Sequence, residues 1–483
     1  MLLLNTPAIL FVIGLVLSKL ALFMYIPAIV AFVTASHGFW EFGTAIIITH
    51  SCAFGLLAYG RRNTFQLGVR DMFLITTLVW GIASAFAALP FVFINHISFS
   101  DAYFETMSGL TTTGSTVLSG LDDMAPSILL WRSLLQWLGG IGFIVMGVAI
   151  LPMLNVGGMR LFQTESSDWS EKSAPRTKQV ALHIVQVYVS LSMLCIMGYL
   201  AAGMDLFDAI NHALTTISTG GYSTSDSSMN GFSTLAHWNA IVFMFAGGLP
   251  FLLFVRALKR KTWQPLWADA QVRGFAKLTL FVSAIVAVSL HYQNHYQWLD
   301  ALRVGLFNVV SVMTTTGFGL GDFTHWGPAM SVVFAFLMLT GACSGSTSGG
   351  VKLFRFQVAI ALFNKHMMQL IHPSGMFIQR YNGAKVTESI VRSVIAFALV
   401  FFVTVLVTAL LLAILGLDAT TSLSGAITAV ANVGPGIGST IGPSGNFASL
   451  PAMAKWILSV AMLMGRLEII TVLVLFYPAY WRS

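Results

Sequence analysis

From Val394 to Leu415 the chain runs 22 residues without a charged side chain. As an α-helix that run is roughly 33 Å long, enough to cross the hydrocarbon of a bilayer. Inside hydrocarbon every backbone N–H and C=O needs an internal partner, so only helices and closed barrels span it. Barrel strands are short and alternate polar with apolar residues, and this run does neither. Of the 483 residues, 56% are hydrophobic and 9% charged, where soluble domains carry about 25% charged. The sequence therefore predicts an all-α polytopic membrane protein. No cation precedes Lys19, so the start lacks the basic region of a cleaved signal peptide. The three cysteines, Cys52, Cys195 and Cys343, are too scattered for a disulfide framework or a metal cluster.

The net charge of +7 has a topological explanation. Most of the Lys and Arg fall into four groups: Arg61, Arg62 and Arg70; Arg160, Lys172, Arg176 and Lys178; Arg256 through Lys277; and Lys352 through Arg392. The alternate loops, around Asp122, Asp226, Asp322 and Gly442, have almost none. This is the positive-inside pattern, and it predicts that both termini and the basic loops are cytoplasmic. Nucleic acid is not needed to explain the basicity.

Between the basic groups one unit recurs four times: a span, a short amphipathic segment, a second span. The short segments are Asp101–Thr113, Asp208–Gly220, Asp300–Thr316 and Asp418–Val433. Two further spans precede the first unit. The predicted division is 1–65 for the leading helices, then repeats over 66–160, 161–262, 263–372 and 373–483. Each short segment is too short to cross the membrane, so it enters and returns. Each starts with an aspartate, a favoured N-cap residue that also suits the positive end of a helix dipole. Asp101, Asp208, Asp300 and Asp418 are thus the expected N-caps. Each segment ends in a stretch rich in threonine and glycine: "TTTGST", "STGGYS", "TTTGFGLGD" and "NVGPGIG". Aligned on Gly114, Gly221, Gly317 and Gly434, the aspartates lie 13, 13, 17 and 16 residues earlier. The last two short helices are therefore expected to be about one turn longer.

Four helix C-termini converging at mid-membrane would favour a cation. Beyond them comes non-helical backbone, tolerated at that depth only along a cavity or inside protein. Glycine lets carbonyls turn toward an axis, and carbonyls with threonine hydroxyls replace a cation's water shell. A lining of uncharged oxygen suggests a monovalent cation. A single such stretch would serve equally as a close-packing motif; four in equivalent positions favour a filter.

The four stretches and the repeated unit resemble the Trk/Ktr/HKT superfamily of potassium transporters, closest to its bacterial TrkH-type members, over essentially the whole chain. The resemblance implies that Gly114, Gly221, Gly317 and Gly434 are filter glycines. It implies that Thr112, Thr113, Thr219, Gly220, Thr315, Thr316, Asn432 and Val433 complete the potassium-binding lining. No serine replaces the first glycine, as in some sodium-transporting plant relatives, which favours potassium. The same resemblance implies a homodimer in the bacterial inner membrane, a cytosolic ring of nucleotide-sensing partner subunits, K⁺ as the transported ion and no bound cofactor.

The second span of the third repeat is interrupted by "TGACSGSTSGGVK", Thr340–Lys352. So much glycine and serine disfavours a helix. The resemblance makes this an intramembrane gating loop, with Gly345, Gly349 and Gly350 as its flexible points. Arg466 lies inside the last span, where a charge is expensive and by default functional. Glu468 is two residues away and does not face it on a helix, so the loop carbonyls are its better acceptors. Lys19, in the middle of the first span, has no role in this scheme. A serine-protease reading founders because Ser344, Ser346 and His212 fit no known nucleophile spacing, and the chain reads as no enzyme. A coupled carrier moving K⁺ with H⁺ or Na⁺ is the stronger alternative, with Glu105 its one evident titratable group.

Overall fold

The computed structural model describes residues 4–61, 67–149 and 174–482. Arg62, Arg160, Lys172, the expected end of a span at Leu154 and the repeat boundaries at 65/66 and 160/161 lie outside the described residues. Two leading helices, α1 (Thr6–Val33) and α2 (Phe39–Gly60), form an antiparallel hairpin. Phe32 meets Phe39 beside its turn, and Gly60 packs on Phe11 at its open end. The backbone N–H of Asn5 donates to Asp71 Oδ1 (3.0 Å), tying the start of the chain to the first repeat.

Four repeats follow in the expected order. The first has a span over Val69–Asn95, a short helix Phe99–Leu110 and a second span Pro126–Ala149. The second has Ala174–Ala201, the short helix Leu206–Ile217, and a pair of helices Thr234–Gly247 and Phe251–Arg260. The third has Ala270–Asn294, Trp298–Met313, Pro328–Thr340 and Leu353–Ile371. The fourth has Glu388–Ile414, Ala419–Ala431, Ala452–Arg466 and Ile470–Phe476. A two-residue β-ribbon, Arg380–Tyr381 with Ala384–Lys385, joins the last two repeats. Its turn residues, Asn382 and Gly383, both take the positive φ that a tight hairpin needs.

Three second spans are broken, although only the third break was expected. In the second repeat the halves bend by 91° around Gly248–Pro250. Proline lacks the N–H and clashes with the preceding turn, and two glycines precede it. In the fourth repeat the bend is 109°. There Glu468 (φ 62) and Ile469 (φ 33) leave the helical region. The break frees Arg466 and Glu468 to reach separate partners, described below.

The N-caps need correction. Asp418 caps the fourth short helix, its Oδ2 accepting from Thr421 N (3.0 Å). The other three helices start one turn earlier, at Ser98, Asp205 and Gln297. Asp101, Asp208 and Asp300 therefore sit in the first turn, where they still suit the dipole. Ser98 and Asp205 cap the N–H groups of Asp101 and Asp208. The helix lengths change accordingly: 12, 12, 16 and 13 residues, so only the third is a turn longer. Two cations of the fourth basic group are also not exposed to the cytoplasmic side. Lys352 and Arg355 are buried.

Candidate functional site

All four short helices end in the same backbone turn. The N–H of Thr112 donates to Gly109 O and that of Thr113 to Ser108 O. Thr219 and Gly220, Thr315 and Thr316, and Asn432 and Val433 repeat the two bonds. This is the Schellman termination, which puts one residue in the left-handed region. That residue is usually glycine. Here it is Thr112 (φ 52), Thr219 (φ 52), Thr315 (φ 57) and Asn432 (φ 55). A β-branched residue is strained at such a φ. At two of the three threonines, Thr219 and Thr315, the side chain makes a hydrogen bond that glycine could not.

Two residues later come the four glycines, with φ of 88, 77, 83 and 114. Their surroundings close a ring. A Cβ on Gly114 would overlap the carbonyl oxygen of Gly220. One on Gly221 would overlap Thr316 O, one on Gly317 would overlap Val433 O, and one on Gly434 would sit 2.8 Å from Thr113 O. Each glycine thus packs on the carbonyl preceding the next repeat's glycine, and the fourth returns to the first. All four glycines line one cavity of about 440 Å³, whose walls include Asp226, Tyr222 and Pro443 from the segments that follow the short helices within their repeats.

The ring is braced from behind. Glu105 and Arg132, 0% and 2% exposed, form an ion pair at 2.9 Å. The Glu105 carboxylate also accepts from Val117 N and Thr116 Oγ1, and Arg132 donates to Ser223 O. The guanidinium lies 4.1 Å from the centre of the Tyr222 ring. Gln136 donates to Gly220 O (2.7 Å) and accepts from Tyr222 N (3.0 Å). The first two repeats are therefore locked by buried side chains that the sequence reading passed over or, for Glu105, read as a titratable group. Arg132 inside a span was the available signal, since an intramembrane charge calls for a partner.

On the other side of the ring lies the Thr340–Lys352 loop. The strained threonines meet it: Thr219 Oγ1 bonds Thr347 Oγ1 (3.0 Å), and Thr315 Oγ1 accepts from Gly349 N (2.8 Å). Thr112 Oγ1 is buried without a hydrogen-bond partner among the described residues. Asn432 donates to Thr113 Oγ1 (3.0 Å) and Met462 O (2.9 Å). Gly349 packs so closely on Ala431 O that a Cβ there would overlap it. Gly345 is exposed and its carbonyl accepts from Phe251 N, while Gly350 packs on Gly341. Thr347 Oγ1 also donates to Gly247 O, at the break in the second repeat.

Arg466 ends the first half of the broken span. It donates to Thr347 O (2.7 Å) and Gly139 O (3.4 Å) and lies over the Phe143 ring. It thereby joins the fourth repeat, the loop of the third and the second span of the first. Glu468 turns away to Arg355 (2.6 Å). Lys352 bonds Ser348 within the loop. His212 meets Ser223 (2.9 Å), not the loop serines, so the protease constellation is not assembled.

Comparison with known proteins gives the family of the chain. The family model for TrkH, described as "Cation transport protein", matches residues 40–483. The chain belongs to the TrkH family. It is a multi-pass membrane protein of a transporter family and not an enzyme. It is 47% identical over 467 residues to the Trk system potassium uptake protein TrkI of Halomonas elongata, covering 96% of this chain and 94% of that one. It is 34% identical to the Trk system potassium uptake protein TrkH of Escherichia coli K12, over 98% of both chains. The crystal structure of the potassium transporter TrkH from Vibrio parahaemolyticus matches with a TM-score of 0.91, at 33% identity over 99% of each chain.

Proposed function

We propose that this chain is the potassium-conducting subunit of a bacterial Trk-type uptake system. The observation that carries the reading is the closed cycle of four glycine turns around one cavity. The carbonyls of Thr113, Gly220, Thr316 and Val433, with the neighbouring residues of the four turns, replace the ion's water shell. Gly220 O is shared with Gln136, which weakens one oxygen of the four and loosens discrimination. The repeats occupy 66–160, 161–262, 263–372 and 373–483 after two leading helices at 1–65. The Thr340–Lys352 loop closes the path below the filter, with Gly345, Gly349 and Gly350 as its hinge points and Arg466 as its latch. The chain works as a homodimer in the inner membrane, and a cytosolic nucleotide-binding ring moves the loop. The names of the relatives, all Trk system proteins, support this assignment.

A coupled carrier is disfavoured because its best titratable group, Glu105, is held by Arg132, Thr116 and Val117. Purified chain in liposomes distinguishes the two. We expect K⁺ or Rb⁺ flux that exceeds Na⁺ flux, with single-channel current steps and no need for a second ion. Saturating flux that requires H⁺ or Na⁺ would establish the carrier instead.

The charge pattern sets a further expectation. With the basic loops inside, a cysteine at Ser444 in a cysteine-free background labels from outside, and one at Arg260 does not. The reverse pattern would invert the protein and the direction of its short helices.

A further inference from the structure

Lys19 sits at the middle of α1, 13 residues from Thr6 and 14 from Val33. Its side chain is exposed, and no hydrogen bond or ion pair reaches it among the described residues. The opposite face of α1, through Ile13, Leu17, Leu20 and Met24, is buried in the protein. Lys19 therefore faces the bilayer at its centre. A lysine stem reaches about 6 Å, and the interface is about 15 Å from mid-membrane, so snorkelling does not bring the ammonium to water. Such a charge calls for a partner.

The residues around it form a seam. Leu15, Leu22, Ile26, Ile29 and Val33 are all exposed, and with Lys19 they are spaced 4, 3, 4, 3 and 4 residues apart. That is the a/d pattern by which one helix packs along another. The occupant is limited by charge. Among the described acids, only Glu105 and Glu468 lie away from helix starts and loops. Both are buried and already paired, with Arg132 and Arg355. The three acids outside the described residues, Glu165, Asp168 and Glu171, fall in a polar stretch between spans. Among its described residues a second copy of this chain thus offers no lipid-facing carboxylate at that depth, and a parallel two-fold contact would bring two Lys19 side chains together.

We propose that the Leu15–Val33 face of α1 docks a single transmembrane helix from a different chain, one carrying an Asp or Glu at mid-membrane depth that pairs with Lys19. The pair neutralises both charges, and the apolar seam supplies the packing.

The test uses the full chain in liposomes of zwitterionic lipid, labelled on the α1–α2 turn, and fluorescent leucine-based helices read by energy transfer. One probe carries Glu at its centre, one Gln there, and one Glu near its end. The central-Glu helix is expected to bind about tenfold tighter than the other two. Lys19→Met should remove that preference without unfolding the chain, because methionine suits a lipid-facing site. Lys19→Glu should transfer the preference to a helix with a central Lys. Equal binding of all three probes, or an unchanged preference in Lys19→Met, overturns the proposal. So does a Lys19→Met effect confined to the chain's own dimerisation, which would make the occupant a second copy. A preference that appears only with anionic lipid would assign Lys19 to a headgroup and likewise overturn it.

Discussion

Gly221→Ala is expected to lower the potassium-over-sodium preference by about tenfold or more. Two costs combine there. The φ of 77 is one that an L side chain adopts only under strain. The new Cβ would also overlap Thr316 O and lie 3.1 Å from the Gly317 carbonyl carbon, so an oxygen of the neighbouring repeat must move. On the proposed reading, displacing one oxygen of the ring that takes the place of an ion's hydration shell changes the fit for every ion passing it. A loss of 1.4 kcal/mol in discrimination is a factor of about ten. Gly114 and Gly317 face the same overlap and should behave alike, while Gly434, with 2.8 Å to Thr113 O, should be the mildest. Gly120 is the control. It has a φ of 74, but no atom lies within 4 Å of its Cβ position. Gly120→Ala therefore carries the backbone strain without the displaced oxygen, and its selectivity should be unchanged. The measurement is cation-replacement flux in liposomes. Wild-type selectivity in Gly221→Ala would remove this ring from the conduction path.

The spans, the four short helices and the glycine turns were legible because each leaves a local trace: an uncharged run, an acidic first turn, a cluster of small residues. Most of what escaped needed partners distant in sequence. The aspartates were visible, but not that Ser98 and Asp205 cap three residues before them, because Ser and Asp both suit the N-cap and an acid also suits the first turn. The 91° break was written as Gly247-Gly248-Leu249-Pro250, a breaker signal hidden inside an apolar stretch. The 109° break carries no proline at all. There Arg466 and Glu468 reach different partners, loop and helix residues more than 100 positions away. The ion pair behind the glycine ring joins residues 27 apart, and no helical spacing brings them together. The strained threonines are a similar case. A "TTTG" string shows the residues but not which of them takes the left-handed φ. Only the contacts with Thr347 and Gly349 reveal that the Thr219 and Thr315 side chains meet the loop.

Arg466→Ala is expected to raise basal potassium or rubidium uptake by the chain alone, about tenfold or more if the resting path is mostly closed. The loop offers few side chains to pack, so its position rests on polar contacts: Thr219 and Thr315 above, Gly247 O at the side, and Arg466 at Thr347 O. The arginine contact is charge-assisted, and such bonds contribute roughly 1.5–3 kcal/mol each. Losing that bias shifts a two-state gate toward the open form. On the proposed route the guanidinium is also a buried positive charge beside the cation, so its removal would lower an electrostatic barrier as well. Two variants separate these effects. Arg466→Lys keeps the charge and loses the fork of donors, so it should open the gate only if the clamp matters. Arg466→Gln keeps a donor and loses the charge, so it should raise flux only if the barrier matters. Deleting Ser346–Ser348 removes the loop's contact with Arg466 and should act in the same direction. Combined with Arg466→Ala it should add little, because both act on one obstruction. If both the substitution and the deletion lower uptake while the protein stays folded and keeps its oligomeric state, the loop is not an obstruction and Arg466 instead holds the open path together.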